Sequence, residues 1–298
     1  MSAVPEPAKF TPISDVDRKT FDEQGYLIVP NALSADQVSD LNRVVDEVHA
    51  DHQARGLAEP DGPLHTLGAV YQRPEIATLV DLETVFPHMW GHLSWNIFVY
   101  HSHIDVTTPT GDPDELIWEW HQDGYRQNVD IPDDPRPRLS MKVGYALTDL
   151  SEKGSGATLV LPGSHLSNTL ARTAPGSGNE YERPPGTVEL SLRAGDAFIF
   201  DRRLWHARSV NRSSLTRKMI FIAYTYRWIR SRDDVDENSL AGYWHDLSPL
   251  QRQLVGDGED AANFHGVSSE TGLWDDRIPL RSLLKQHGRL DRSQHYLR

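Results

Sequence analysis

The chain has 298 residues, a formal net charge of −13 and no cysteine. The lack of cysteine excludes a disulfide scaffold, a zinc–thiolate site, a thiol nucleophile and an iron–sulfur cluster. The negative charge, with no cluster of Lys and Arg, argues against nucleic acid and against an anionic membrane surface as partners. No signal peptide and no apolar run of transmembrane length is visible, so we expect a cytoplasmic protein.

Helical patterns dominate the first third of the chain. Ser34 and Gln37 form a capping-box pattern, and apolar residues follow it at helical spacing. A later helical pattern is expected to break near Pro87. The predicted elements are a helix at 15–23, a strand at 25–30, a helix at about 35–55 and a further helix at about 74–85. Together they form a predicted helical N-terminal layer over about 15–93.

From about residue 94 onward, short β-rich segments follow one another, separated by Gly- and Pro-containing turns and by no amphipathic helix. The segments are 95–100, 116–121, 139–147, 157–161, 187–192, 196–200 and 218–228. This pattern is typical of a sandwich or jelly roll. We predict a mainly β fold with flanking helices and a double-stranded β-helix (jelly-roll, cupin-like) core over about 94–230. A polar C-terminal appendage at 231–298 completes a predicted single domain, 1–298.

Three residues of the β region suggest a metal site. His121 and Asp123 flank one residue at the end of a predicted strand, a spacing that puts both side chains on the same face. With His206 they supply two imidazoles and a carboxylate, the ligand set of a mononuclear non-haem iron(II) site. Arg217 opens a later strand and suits a bidentate grip on a co-substrate carboxylate. Each residue alone is more often a satisfied buried polar group or a surface ion pair, so the hypothesis depends on the joint pattern.

Further segments occur in an order that one enzyme family shares. They are FDEQGYLIVP at 21–30, WHQD at 120–123, GYALTD at 144–149, GATLVLPGSH at 156–165 and AGDAFIF at 194–200, followed by His206, Asn211 and Arg217. With these motifs the chain resembles the phytanoyl-CoA dioxygenase (PhyH)-type members of the iron(II)/2-oxoglutarate-dependent oxygenases. The resemblance extends over about residues 21–228 and does not include the C-terminal tail.

The resemblance implies an activity and roles for the matching residues. His121, Asp123 and His206 would be the iron ligands, and Arg217 the partner of the distal carboxylate of 2-oxoglutarate. The implied reaction uses O2 to hydroxylate an unactivated C–H bond of a small metabolite, with release of succinate and CO2. The carboxylate of Asp123 favours hydroxylation, because halogenating relatives lack it. Candidates for further co-substrate contacts are Asn96, Tyr100 and His103.

A second histidine cluster and the candidate substrate-pocket residues could each have either a functional or a purely structural role. His101, His103 and Asp105 would share one face of a strand and could supply a zinc set, but we favour ordinary strand and pocket-wall residues. Candidate substrate-pocket residues are Trp118, Tyr125, Arg126 and Trp205. The aromatic residues could equally be core, and the arginine could pair with acidic surface residues nearby.

Two other functions remain open at this point, because jelly rolls serve many activities. A cupin-like metal-dependent isomerase or hydrolase would not use 2-oxoglutarate and would not need Arg217. A non-catalytic ligand- or metal-binding module would not need the complete triad. The sequence specifies neither the substrate nor the carbon oxidised, nor whether the outcome is hydroxylation, desaturation, demethylation or ring formation. The expected partner is a small molecule, and the 231–298 tail could be a lid or a homodimer contact.

Overall fold

The computed structural model describes residues 8–110, 116–170, 183–233, 240, 242–256 and 276–290, with the backbone only at 116–118. Most of the regular structure between residues 97 and 226 is β, and most helices precede it or follow it. Within the described residues, no helix combines the length and the apolar character that crossing a membrane requires.

The predicted capping box is confirmed in the longest described helix. The Gln37 backbone N–H donates to Ser34 Oγ, and the Ser34 N–H donates to Gln37 Oε1. These two bonds satisfy N–H groups that a helix start otherwise leaves without partners. The α-helices among the described residues are α1 (Asp15–Gln24), α2 (Ala35–Ala54), α3 (Ala69–Gln72), α4 (Pro74–Ala77), α5 (Phe86–Leu93), α6 (Tyr125–Asp130), α7 (Pro249–Leu254) and α8 (Pro279–Gln286). Pro87 lies in the first turn of α5, so it helps to begin a new helix after the break.

In the part of the chain that the structure describes, ten strands form two sheets. They are β1 (Tyr26–Val29), β2 (Leu64–Leu67), β3 (Ile97–Thr107), β4 (Leu116–His121), β5 (Ser140–Ala146), β6 (Thr158–Val160), β7 (Val188–Glu189), β8 (Ala197–Asp201), β9 (His206–Ser209) and β10 (Arg217–Tyr226). The six-stranded sheet has the order β1-β8-β5-β10-β3-β2, and the four-stranded sheet has the order β4-β9-β6-β7. Strand β8 pairs antiparallel with both β1 and β5.

Two strands of the observed sheets were not predicted. Strand β9 contains the sequence His-Ala-Arg-Ser and therefore shows no alternation of apolar and polar residues. It forms because it hydrogen-bonds to β4 on one side and β6 on the other. Strand β2 is only four residues long. Strand β3 runs to Thr107, well beyond the predicted end at residue 100, and all eleven of its residues are buried.

The chain divides into two compact units. The larger unit comprises residues 16–66 and 103–221, and the smaller unit comprises residues 1–15, 67–102 and 222–298. The core of the larger unit includes Phe198, Phe200 and Phe221. A Cβ atom on Gly144 would lie 2.6 Å from the Phe198 ring and 2.7 Å from the Phe221 ring. Only glycine therefore allows both rings to pack against β5, and each buried ring contributes roughly 2–3 kcal/mol.

Side-chain hydrogen bonds join the three chain segments of the smaller unit. Gln253 of α7 donates to the carbonyls of Trp95 and Ile97 and accepts from the Leu280 N–H of α8. Asp81 accepts from Lys9 at 2.8 Å and from Gln251 of α7 at 2.9 Å. The described C-terminal helices are therefore part of this unit. The single domain expected from the sequence stays a prediction.

Candidate active site

Antiparallel pairing of β4 with β9 places two histidines opposite each other. Strand β4 ends at His121 and β9 begins at His206, and these two residues are partners in the ladder. Directly opposed side chains on one sheet face are close enough to touch. The two imidazole ring centroids are 4.2 Å apart. Strand pairing therefore brings together two imidazoles that are distant in the sequence.

Asp123 joins these histidines from the turn that follows β4. Its backbone N–H donates to the Arg202 carbonyl at 2.8 Å, and its side chain is buried. The candidate ligand atoms of His121, Asp123 and His206 all lie within 4.8 Å of one another. The turn continues through Gly124, whose φ of +92° suits glycine. The structure therefore brings the predicted triad together.

Both histidines are oriented by the backbone carbonyl two residues earlier in the chain. His121 Nδ1 lies 2.7 Å from the Glu119 carbonyl, and His206 Nδ1 lies 2.8 Å from the Leu204 carbonyl. A carbonyl oxygen can only accept, so Nδ1 carries the proton and donates in each case. The Nε2 lone pair of each imidazole is then available to a metal, the arrangement common among metal-ligating histidines.

The charge states of the triad also suit a divalent cation. Burial, with a smaller contribution from the neighbouring His121, lowers the pKa of His206 to about 3. Burial acts to raise the pKa of Asp123, but Lys142 and the two histidines outweigh it and hold this pKa well below its usual range. Lys142 Nζ is 2.7 Å from Asp123 Oδ2. Near neutral pH, His206 is therefore neutral and Asp123 is an anion, the forms that ligate a metal.

The loop that carries Asp123 is held by amide side chains. Gln122 points away from the two ligands that flank it, and its amide donates to the carbonyls of Arg203 and Ser167. Its Oε1 accepts from Arg136 Nη1 at 3.0 Å. Asn128 of α6 donates to the carbonyls of Gln122 and Asp123, each at 3.2 Å. These bonds fix the backbone on both sides of the carboxylate ligand.

Arg217 provides a buried cation suited to a carboxylate. Its side chain is 1% exposed, and among the described residues its Nε and Nη1 have no hydrogen-bond partner. Its Nη1 is 3.8 Å from Asp105 Oδ2, the same oxygen that accepts from Arg208 Nη1 at 2.8 Å. Burial, together with the neighbouring Arg208 and against the opposing effect of Asp105, lowers the pKa of Arg217 to about 9. A buried guanidinium with donors to spare fits an incoming carboxylate.

Comparison with known proteins identifies the family. The phytanoyl-CoA dioxygenase (PhyH) family profile matches residues 21–219, about two-thirds of the chain. The chain belongs to the PhyH family. It is 23% identical over 239 residues to the ectoine dioxygenase of Streptomyces avermitilis, covering 72% of this chain and 79% of that relative.

Solved structures share the fold of this PhyH-family chain. HygX from Streptomyces hygroscopicus, with nickel and 2-oxoglutarate bound, has a TM-score of 0.59 at 14% identity, covering 76% of this chain and 92% of HygX. The carbocyclase SnoK from nogalamycin biosynthesis, described as α-ketoglutarate-dependent, has a TM-score of 0.55 at 22% identity, covering 83% of this chain and 94% of SnoK. The predicted jelly-roll fold, the family and the class, an iron(II)- and 2-oxoglutarate-dependent dioxygenase, are confirmed. An isomerase, a hydrolase and a non-catalytic module are no longer favoured.

The second histidine cluster of the PhyH-family chain differs from the one expected. His103 and Asp105 are joined by His65 of β2, whose Nδ1 lies 2.6 Å from Asp105 Oδ1. His101 instead pairs with Asp233 in the smaller unit, at 2.5 Å. Because Arg208 and Arg217 both approach Asp105, their positive charges oppose a second divalent cation there. The contacts therefore favour an ionic network over a metal site.

The other co-substrate candidates have described contacts of their own. The His103 ring stacks on Phe221, with centroids 4.6 Å apart. Asn96 and Tyr100 belong to the smaller unit. The Asn96 carbonyl accepts from the Arg227 N–H at 3.0 Å, and the Tyr100 carbonyl accepts from the Arg232 N–H at 2.8 Å. Their contact with a co-substrate stays a prediction.

The four substrate-pocket candidates occupy different environments. Tyr125 begins α6 and is 89% exposed. Arg126 is exposed and pairs with Asp130 one turn later, with Nη2 2.7 Å from Oδ1, in agreement with the surface ion-pair interpretation. Trp205 is half-buried, and its indole N–H donates to the Ser167 carbonyl. The side chain of Trp118 lies outside the described residues. Their role in substrate binding stays a prediction.

Sequence reasoning did not single out Lys142 or Arg208. Lys142 lies within a predicted strand whose other residues are mostly apolar or small, and a lone lysine inside such a strand was the available signal. Arg208 lies two residues after His206, on the unpredicted strand β9. In a strand, that spacing places both side chains on the same face.

Proposed function

We propose that the chain is an oxygenase that uses iron(II), 2-oxoglutarate and O2 to hydroxylate an unactivated C–H bond of a small metabolite, releasing succinate and CO2. The observation that carries this proposal is the convergence of the ligand atoms of His121, Asp123 and His206 within 4.8 Å. Two imidazoles and one carboxylate on one face of an iron(II) ion leave coordination positions for co-substrate and O2.

In this proposal His121, Asp123 and His206 hold the iron through the two Nε2 atoms and one carboxylate. Bound iron with 2-oxoglutarate supplies the oxidising chemistry, and the protein supplies orientation and protection from water. Arg217 binds the distal carboxylate of 2-oxoglutarate, because its buried guanidinium has donors without partners among the described residues. The HygX structure with nickel and 2-oxoglutarate supports this pairing of metal and co-substrate. Asn96, Tyr100 and His103 are candidates for additional contacts.

The names of related proteins support a small-molecule substrate. One relative is an ectoine dioxygenase, and one HygX structure contains hygromycin B. We propose that the substrate lies over α6 and the start of β9, where Tyr125, Arg126 and Trp205 would contact it together with Trp118. A cytoplasmic location and a homodimer also stay predictions.

Anaerobic addition of iron(II) and 2-oxoglutarate tests the cofactor assignment. We expect a weak visible charge-transfer band, absent in the His206→Ala and Arg217→Ala variants. Two substitutions on α2 serve as matched controls, His49→Ala and Arg43→Ala, because α2 contributes no residue to the triad or to the Arg217 network. The controls should keep the band. Absence of the band in the intact protein would refute the proposal.

A substrate screen tests the reaction. Candidate metabolites are incubated with iron(II), 2-oxoglutarate and O2, and substrate-dependent succinate formation is measured. With isotopically heavy O2, hydroxylation places one heavy oxygen atom in the product. A product that forms with succinate but carries no such oxygen would keep the cofactor assignment and contradict hydroxylation.

A further inference from the structure

Lys142 is a charged residue in the interior of a sheet. It lies in the middle of β5, all of whose residues are buried, and its own exposure is 6%. Its backbone pairs with Phe200 of the neighbouring strand β8. Burying an ammonium group away from water is costly unless an anion and hydrogen bonds compensate. The position of Lys142 therefore requires a nearby partner.

That partner is Asp123. Lys142 Nζ lies 2.7 Å from Asp123 Oδ2, and both side chains are less than one-tenth exposed. The same ammonium group lies 5.7 Å from the centroid of the Phe200 ring, a distance at which a cation is attracted to an aromatic face. The lysine is thus directed at the one carboxylate of the His121–Asp123–His206 triad.

We propose that Lys142 is a positioning residue that occupies one oxygen of Asp123, so that the carboxylate binds the metal through its other oxygen alone. The proposal rests on the proposed function of the triad. A carboxylate can hold a metal through one oxygen or through both. Binding through both would take a coordination position that the co-substrate or O2 needs. Side chains that pair with a metal ligand also orient it, and their loss commonly weakens metal binding about 10- to 100-fold.

The ammonium group has two opposing effects on metal affinity. It orients Asp123, which strengthens binding, and its positive charge repels the metal ion, which weakens binding. We expect orientation to dominate. Lys142→Met keeps the aliphatic stem and removes the donor and the charge, so its affinity for Co(II) should fall by about 10- to 100-fold in calorimetric titration. An affinity that is unchanged or higher would overturn the proposal.

Lys218→Met is a matched control. Lys218 of the adjacent strand β10 also pairs with an aspartate, its Nζ lying 2.6 Å from Asp46 Oδ1, and Asp46 is mostly exposed. This variant loses a lysine–aspartate pair from the same sheet, at a more exposed position away from the triad, and should keep the wild-type Co(II) affinity. A comparable loss in the control would show that general destabilisation explains the effect, and would overturn the proposal.

A double-mutant cycle tests whether Lys142 acts through Asp123. In the Asp123→Asn background, Lys142→Met should lower the Co(II) affinity by less than about twofold, because the carboxylate to be oriented is gone. The same large loss in both backgrounds would contradict a role through Asp123. Lys142→Arg, which retains a charged donor, should recover most of the affinity and the wild-type visible spectrum of bound Co(II).

A crystal structure of the wild-type chain with Co(II) keeps the proposal testable if Lys142→Met does not fold. We expect one Asp123 oxygen on the metal and the other within hydrogen-bond distance of Lys142 Nζ. Metal binding through both oxygens, or a Lys142 side chain turned away, would overturn the inference. Failure of the wild-type chain to bind Co(II) or iron(II) would instead refute the proposed function, so the two failures are distinguishable.

Discussion

Gln122, between the two ligands His121 and Asp123, offers a quantitative test of how the metal loop is held. It is 7% exposed and makes three hydrogen bonds, to the Arg203 carbonyl, the Ser167 carbonyl and Arg136. Gln122→Leu has nearly the same volume, so a large cavity should not form. The change removes the three hydrogen bonds, so the two carbonyls and the Arg136 guanidinium must form hydrogen bonds with other groups or with water.

The magnitude follows from the burial of those partners. The Gln122–Arg203 bond is buried, so the Arg203 carbonyl should bear a full penalty of about 2 kcal/mol. Ser167 and Arg136 are half-buried and can recover water, so we assign each about 0.5 kcal/mol. Gln122→Leu should therefore lower the free energy of unfolding by about 3 kcal/mol. For a unit of this size, the corresponding fall in Tm is roughly 6–12 °C.

Urea unfolding and thermal melting of the metal-free protein measure this loss. Gln127→Leu is the matched control, because Gln127 lies nearby on α6 and its Oε1 has no hydrogen-bond partner among the described residues. The control should change the free energy of unfolding by less than about 1 kcal/mol. If Gln122→Leu is no more destabilising than the control, the amide bonds do not hold the loop and the reasoning fails.

Three further predictions concern Gly25, His165 and Arg217. Gly25→Ala should lower the free energy of unfolding in urea by at least about 2 kcal/mol, because φ at this position is +79° and the new Cβ would lie 2.5 Å from His165 Nδ1. A variant as stable as the wild type would contradict this reasoning. Burial lowers the pKa of His165, so the unfolded chain takes up a proton there more readily. Stability should fall as pH drops through about 6.5, and His165→Gln should show a smaller fall between about pH 7.5 and 5.5. Arg217→Ala should raise the Kd for 2-oxoglutarate by about 30-fold or more in calorimetry, whereas the Arg43→Ala control should leave it unchanged.

Local patterns in the sequence were sufficient to predict several structural features. The capping box at Ser34 and Gln37 and the strand ending at His121 depend on neighbouring residues, and both are found as predicted. The triad could be proposed because its residue types form a known metal-ligand set and because the surrounding motifs occur in the same order as in the PhyH family. Asp123 lies just beyond the strand, and the turn at Gly124 still leaves it beside the histidines.

Features that arise from tertiary contacts could not be predicted. Strand β9 has no periodic signal and exists because of its two neighbours. The partners of Lys142 and Asp105 lie on other segments of the chain, which tertiary contacts bring close. Asp233 belongs to the predicted polar C-terminal appendage, but its side chain is buried against His101 and accepts from the Ser102 N–H. In each case the deciding interaction joins residues that the sequence alone does not bring together.

The carbonyl hydrogen bonds of His121 and His206 have a consequence for how the protein depends on iron. Each imidazole is oriented by a carbonyl two residues earlier in the chain, and Gln122 and Asn128 hold the loop that carries Asp123, so hydrogen bonds within the protein orient all three ligands. This differs from small zinc domains, whose folding requires the ion. We therefore expect a chelator to yield a folded chain that regains activity when iron returns. The fraction of active enzyme would then follow iron supply, without new protein synthesis.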